Sequence, residues 1–522
     1  MKGAVAAGHP LTAEAGARIL AEGGNAVDAC VAAAFVSWVA ESPLTGPGGG
    51  GFMLVHRARD SADRLLDFFV AVPGEGLPPG ERGEMLAVDV VFDEHAKQVF
   101  LIGPAAVAVP GMPAGLAAAH RRYGRLPWAE LAAPAVELPR AGVPLNPQQA
   151  FLHRILEPIL RNEAESRKIY GAERPLGEGD RLVMADLAGT LEELAADGTD
   201  AIYRGELGRR LSEAVLEGGG SLTAADLAAY RVIHRRPVCV AYRGCEFVSN
   251  PPPSSGGLLI AFALRVLDRL GPMAPPGSPA GIAVLTEAMR EAARLRAPGF
   301  VGELYRGGAA RRLLADGRVE EAAAAARAAL RQRAPEPLGA PSTTHISVVD
   351  GSGNAASLSA TTGSGSGFVV PGTGVQMNNK LGEPDLNPPE RSLRPGVRLT
   401  SMMAPSIVLA DGRPRLVVGS AGSIRLRAAI LQIVVNVIDH GLGAPEAIDA
   451  PRIHLDEDVL QLEGGIAAAA ADRLEEAGYR VNLWSDRNLY FGGAAAVAVR
   501  GGGELDAAGD PRRGGAGVVV GA

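Results

Sequence analysis

Nine residues, Ala334 to Ser342, read APEPLGAPS, and no regular element can run through them. Three prolines and a glycine remove backbone donors and break both a helix and a sheet interior. The stretch reads as an extended, exposed linker. Before it, the alanine-rich segment Val319 to Leu330 has a helical pattern. After it the period becomes two: His345, Ser347 and Val349 fall on one face, Thr344, Ile346 and Val348 on the other. Asp350-Gly351-Ser352-Gly353-Asn354 is turn chemistry, and Ala355 to Ala360 returns as a second strand. A hairpin begins where a linker ends, with Thr343 at the junction.

The rest of the chain alternates helical and strand-like stretches without an internal repeat. Residues 11 to 40 predict two helices. Thr12, with Glu14 and Ala15, opens the first and Gly23-Gly24 stops it; Asn25 caps the second, which runs to about Val39. A glycine tract at 46–51 leads into the apolar strand Phe52 to Val55. From about 110 to 235 the pattern is mainly helical, Asp226 to Tyr230 included. Val238 to Val248 is strand-like, Asn250 to Gly257 is a tight turn-rich segment, and residues 258 to 333 return to helix.

Composition excludes several classes. With 522 residues, 47% of them hydrophobic, the chain can bury one large core or two ordinary ones. A net charge of −7, from 51 basic and 58 acidic residues, argues against nucleic acid as a partner. No uncharged apolar run is long enough to span a membrane. The opening MKGAVAAGHP lacks a continuous apolar h-region, so no signal peptide is read in the chain as given. A cytoplasmic location is the expectation, or periplasmic or secreted if a leader was trimmed. Cys30, Cys239 and Cys245 form no CxxC and are expected to be packed thiols.

Familiar catalytic motifs are missing or misplaced. Gly46, Gly48 and Gly51 match GxGxxG, but a helix precedes them and a strand follows, the reverse of a dinucleotide-binding turn. Their structural reading is close backbone approach. There is no GxxxxGK[ST], HExxH or GxSxG, and the nine histidines have no ligand spacing. His345, beside Thr343, reads as a hydrogen-bonded strand residue rather than a base. Thr343 itself is a poor nucleophile unless something removes its proton. Cutting the bond between Ser342 and Thr343 would expose an α-amine with a pKa near 7.7–8.0, which can act as base within the same residue. That chemistry needs no metal and no cofactor. Equally, a threonine opening a strand can be only that.

Several segments together resemble the γ-glutamyltransferase (γ-glutamyl transpeptidase) family. They are GGNAVDA at 23–29, GGGGFML at 48–54, PGMPAG at 110–115, Asp226 to Tyr230, Tyr242-Arg243-Gly244, PPPSSGG at 251–257, TTHISVVD at 343–350 and Gly509-Asp510-Pro511-Arg512. They follow in family order over nearly the whole chain. The resemblance implies an α+β fold, a four-layer αββα sandwich of the N-terminal-nucleophile hydrolase type. It implies a precursor cut into a large fragment, 1–342, and a small one, 343–522, which stay associated and interleaved. It carries the nucleophile onto Thr343 and the backbone oxyanion donors onto Gly422 and Ser423, in the turn Gly419-Ser420-Ala421-Gly422-Ser423. The pair gripping a substrate α-carboxylate falls on Thr400 and Ser401. The acidic anchor for the α-amine follows Asn378-Asn379, at Glu383 or Asp385, with Glu383 preferred. A second threonine supporting the nucleophile falls on Ser359, Thr361 or Thr362, with Thr361 preferred.

One departure bears on substrate. Where well-studied members carry an arginine in a DFRE segment, this chain has Asp67-Phe68-Phe69-Val70. Losing that charge-assisted hydrogen bond removes roughly 1.5–3 kcal/mol, ten-fold or more in glutamyl binding. The leading expectation is transfer of a γ-glutamyl group from a small glutathione-like amide to water or an amine. The alternatives are an acylase of the same fold for another acyl group, such as a β-lactam side chain, favoured by Phe69, and an unprocessed, non-catalytic binding protein.

Overall fold

The structure is a computed structural model that describes residues 3–78, 83–91, 97–330, 343–384, 386, 394–422, 424–456 and 459–521. The linker 334–342 lies outside them, as do three expected site residues, Ser342, Asp385 and Ser423.

Two antiparallel sheets face each other. The first has seven strands in the spatial order Ala516–Val520, Gly3–Ala7, Thr344–Val349, Ala355–Thr361, Gly50–Arg57, Ala62–Phe68 and Ile233–Arg235. The second has six: Leu505–Gly509, Gly493–Val499, Arg413–Ala421, Ser406–Ala410, Cys245–Ser249 and Val238–Tyr242. Helices cover both outer faces. Pro10–Ala21, Ala26–Ala40 and Met112–Tyr123 pack on the first sheet; Gly256–Leu270 and Arg425–Ile438 pack on the second. This is the expected αββα sandwich. A smaller three-stranded sheet, Ile453–Asp456, Val459–Leu462 and Arg480–Leu483, has its own apolar cluster.

The hairpin after the linker forms as its alternation predicts. Ile346 and Val348 enter the core beneath the first helical layer, while Val349 belongs to the core of the second sheet. His345 and Ser347 face the second sheet: the His345 ring would meet any side chain at Gly419, and Ser347 Oγ donates to the Ala495 carbonyl at 3.1 Å. Beneath the hairpin the sheets thus meet across a hydrogen-bonded polar patch set within the apolar core they share.

Ala26–Ala40 is buried along its whole length, which suits a helix apolar on every side. Asn25 caps it as expected, sharing a capping box with Asp28. The glycine tract does allow close approach: a Cβ on Gly48, Gly49 or Gly51 would collide with the carbonyl of Gln376, Thr361 or Ser359. The strand-like piece from Val238 is two strands joined at Arg243 and Gly244, both with positive φ.

Two expectations fail. Thr12 does not open the first helix: Pro10 is its first residue and His9 its cap, its Nδ1 accepting from Leu11 N at 3.2 Å. A proline with preset φ favours the start, leaving Thr12 buried inside the first turn. Nor are all three cysteines packed. Cys30 is buried, but Cys239 is exposed because alternate residues of Val238–Tyr242 point outward. Among the described residues no helix is long and apolar enough to cross a membrane.

Candidate active site

Thr343 is the first described residue after the linker and is 3% exposed. The hairpin register pairs Thr344 with Ala360 and His345 with Ser359. One more step sets Thr343 opposite Thr361. Of the three hydroxyls considered on the return strand, Ser359 is occupied by His345 Nδ1 at 2.8 Å. Thr362 Oγ1 donates to the Pro43 carbonyl at 2.5 Å. Thr361 is therefore the one that faces Thr343, and its Oγ1 accepts from Gly363 N at 2.8 Å. His345 is the hydrogen-bonded strand residue expected: its second nitrogen lies 3.0 Å from Ser347 Oγ, and burial pushes its pKa down to about 3.

Gly422 ends the strand Arg413–Ala421 with φ 118°, a backbone that L side chains rarely adopt. Arg513 connects it with Thr343. One guanidinium nitrogen donates to the Thr343 carbonyl at 3.3 Å, and the other lies 3.8 Å from where a Gly422 Cβ would be. Arg513 therefore lies between Thr343 and the second-sheet turn at Gly422.

Behind Arg513 lies a fully buried charge network. Arg512 Nε donates to Glu463 at 2.6 Å and Nη1 pairs with Asp510 at 3.1 Å, while Arg452 pairs with Asp510 at 2.6 Å. Burial alone would raise the Asp510 pKa, but Arg452 and Arg512 hold it below the usual carboxylate range. Asp510 also accepts from Ala494 N at 2.9 Å. The motif Gly509 to Arg512 thus anchors the turn from which Arg513 reaches Thr343.

The other expected residues lie at the same end of the first sheet. Glu383 is 5% exposed, with its Oε1 2.9 Å from where a Gly363 Cβ would sit, beside Thr361 and Thr362. It is already ion-paired with Lys380 at 2.7 Å, a residue 3% exposed. Asn378 and Asn379 hold the segment by hydrogen bonds to Gly48, Ala108 and Ser364 backbone atoms. Thr400 and Ser401 are buried, and their hydrogen bonds stay within the protein: Thr400 Oγ1 donates to the Pro253 carbonyl at 2.6 Å and Ser401 Oγ accepts from Met403 N at 3.0 Å. Ser254 and Ser255 fasten on to the Ser401 carbonyl at 2.9 and 3.1 Å, which explains the PPPSSGG segment.

Phe69 is fully buried. It stacks on Phe52 with centroids 5.4 Å apart, and Lys380 Nζ stands 5.9 Å from its ring centre. Asp67 is held by Arg398 at 3.2 Å and Arg235 at 2.7 Å. A fixed cation therefore lies near the place of the missing arginine, but it is bound to Glu383.

Sequence reasoning did not single out Glu41, Lys380 or Arg513. Glu41 is 4% exposed and accepts a hydrogen bond from Thr344 Oγ1. It had one signal: between Ala26 and Val55, Asp28 and Glu41 are the only ionisable residues apart from Cys30, and Asp28 is used as a cap.

Comparisons with known proteins bear on the family and the fold. The family model described as Gamma-glutamyltranspeptidase matches residues 12–520. The Acylase ACY 1 proenzyme of Pseudomonas sp. (strain SE83) is 34% identical over 92% of this chain and 87% of its own. The Glutathione hydrolase proenzyme of Escherichia coli (strain K12) is 33% identical over 98% of this chain and 90% of its own. Among solved structures, cephalosporin acylase from Bacillus halodurans superposes with TM-score 0.85 at 26% identity, covering 99% of this chain and 95% of that one.

Proposed function

Since the chain belongs to the gamma-glutamyltranspeptidase family, we propose that it is an enzyme that cuts itself before Thr343 and then moves a γ-glutamyl group from a glutathione-like amide to water or an amino acid. Residues 1–342 and 343–522 are then the large and small fragments. Once freed, the Thr343 amine takes the hydroxyl proton and Oγ attacks the γ-amide carbon. The N–H groups of Gly422 and Ser423 hold the oxyanion, each worth about 10²–10³ in rate. The amine leaves with the proton, and water or an amino group resolves the ester. Thr361 supports the nucleophile, and Thr400, Ser401 and Glu383, with Asp385 as the alternative to Glu383, bind the glutamyl end. The observation that supports this reading is the hairpin register, which extended by one step brings Thr343 opposite Thr361, with Arg513 bonded to the Thr343 carbonyl and lying beside Gly422. A guanidinium beside the new amine also disfavours a second positive charge there, keeping the base neutral near pH 7.

A second reading has its own support. Glu383 already has a partner in Lys380, and Phe69 replaces the carboxylate-binding arginine. An acyl group without an α-ammonium suits such a site, and two similar proteins are called acylases. Anilides of γ-glutamate and of acids lacking the amino group separate the readings: no turnover of any γ-glutamyl donor by the processed protein ends the first. Lys380→Met tests the anchor. Releasing Glu383 should raise the kcat/KM ratio of γ-glutamyl over des-amino anilide by about ten-fold, one charge-assisted hydrogen bond. Adding Glu383→Gln should abolish the gain. An unchanged ratio would remove Glu383 from the substrate site.

A further inference from the structure

The amine that serves the mature enzyme does not exist before the chain is cut, so self-cleavage needs another proton acceptor. We propose that this acceptor is Glu41, whose carboxylate shares one small buried cavity with Thr343. The proposal rests on the reading that the precursor cuts itself before Thr343.

Glu41 follows directly on the buried helix Ala26–Ala40, and its backbone N–H caps that helix on Ser37. The carboxylate points to Thr344, the residue that follows Thr343 and opens the strand. Oε2 accepts from Thr344 Oγ1, whereas Oε1 is buried without a well-aligned hydrogen-bond partner, as is the neighbouring Thr12 hydroxyl. Glu41, Thr343, Thr344 and Arg513 line the same cavity of about 30 Å³, enough for one or two waters to carry a proton. Gly8 is kept free of a side chain there, since a Cβ would strike Glu41 Oε2.

The other titratable groups around the carboxylate do not suit the task. His9, the cap of the helix Pro10–Ala21, and His153, near Ser42, are both pushed by burial to about 4. His345 has both nitrogens engaged and titrates at about 3. Asp510 is committed to Arg452 and Arg512. Among the described residues Arg513 is the only cation lining the cavity, and Gln148 and Gln149 line it without charge. Burial raises Glu41 to about 7, against the hydrogen bond of Thr344, the nearby Thr12 hydroxyl and the charge of Arg513. A group with that affinity both takes and returns a proton near neutral pH.

The step balances. Thr343 Oγ–H gives its proton to the Glu41 carboxylate as Oγ bonds to the Ser342 carbonyl carbon, whose π electrons move to oxygen. When the C–N bond breaks, Glu41 returns the proton to the Thr343 nitrogen, leaving an ester on Oγ and a neutral α-amine. Water then hydrolyses the ester to a Ser342 carboxylate and the free hydroxyl.

The test is the cleavage rate of full-length precursor, followed on denaturing gels from pH 5 to 9. In the parent chain the rate should rise through about pH 7 and level off, because the acceptor must be ionised. Glu41→Gln should cleave about 10²–10⁴-fold more slowly, with no inflection near 7. Glu41→Asp should regain part of the rate together with the inflection. Thr344→Val keeps the carboxylate but removes a hydrogen bond that favours its anion, so the inflection should move to higher pH. Glu41→Gln precursor that melts like the parent and cleaves within about three-fold of its rate would overturn the proposal and leave self-cleavage intact. If Glu41→Gln fails to fold, an unmoved inflection in Thr344→Val overturns it. A parent chain that never cleaves defeats the underlying reading instead.

Discussion

Replacing Thr343 by alanine should leave one full-length band on a denaturing gel however long the protein is incubated, where the parent chain gives two. Amide turnover should fall by about 10⁴-fold or more, the range seen when a nucleophile is removed from a triad-like site. The loss should be chemical rather than structural. Thr343 contributes no core side chain, its carbonyl bond to Arg513 survives the change, and the hairpin register starts beyond it. Melting should therefore shift little, while Thr343→Ser, which keeps a hydroxyl, should still divide and retain part of the activity. If the alanine protein divides between Ser342 and its neighbour at the parent rate, the hydroxyl is not the attacking group and the amine-based chemistry fails with it.

The second large effect concerns stability. Arg512→Met should cost about 3–5 kcal/mol, because it strands Glu463 and one oxygen of Asp510 in a fully buried site. For 522 residues unfolding together, about 2.1 cal/mol/K per residue converts this to a fall of roughly 3–5 °C in Tm. The double variant Arg512→Met with Glu463→Leu should recover at least half of that. It leaves Arg452 and Asp510 as a neutral pair, still bonded at 2.6 Å, and no buried charge unmatched. Calorimetry decides: a double variant less stable than the single one would mean that the network's packing matters more than its charge balance. Activity should drop in the single variant as well, since Arg513 is the next residue and holds the Thr343 carbonyl.

What the sequence made legible was local. The change of period after the linker announced the hairpin and which residues share each face, because a two-residue repeat beside three prolines has few other readings. Gly48 and Gly51 were legible as sites of close approach and Asn25 as a cap, each from chemistry within a few residues, whereas Gly46, read the same way, would meet nothing closer than Thr362 at 3.7 Å. For the hydroxyl opposite Thr343 the sequence left Ser359, Thr361 and Thr362 all open. That choice needs the cross-strand register, which only pairing supplies. The acid beside Thr344 was illegible for a plainer reason. Glu41 and Thr344 are 303 positions apart, and nothing near Glu41 says what its carboxylate will meet. Lys380 and Glu383 are only three residues apart, yet an i,i+3 pair is ordinarily a solvated one. Its meaning here comes from burial beside Gly363 and Phe69, which depends on the folded sheet.

The order of strands in the seven-stranded sheet has a kinetic consequence. Gly3–Ala7, from the region before the linker, is held between Ala516–Val520 and Thr344–Val349, both from the region after it, and Ala355–Thr361 is in turn paired with Gly50–Arg57. An uncut chain that unfolds can regain this weave by itself, at a rate indifferent to dilution. Two separate pieces would first have to collide, each lacking the neighbours its strands require. Severing the chain before Thr343 would therefore turn a first-order return into a second-order one, so that the finished enzyme persists by the slowness of its undoing.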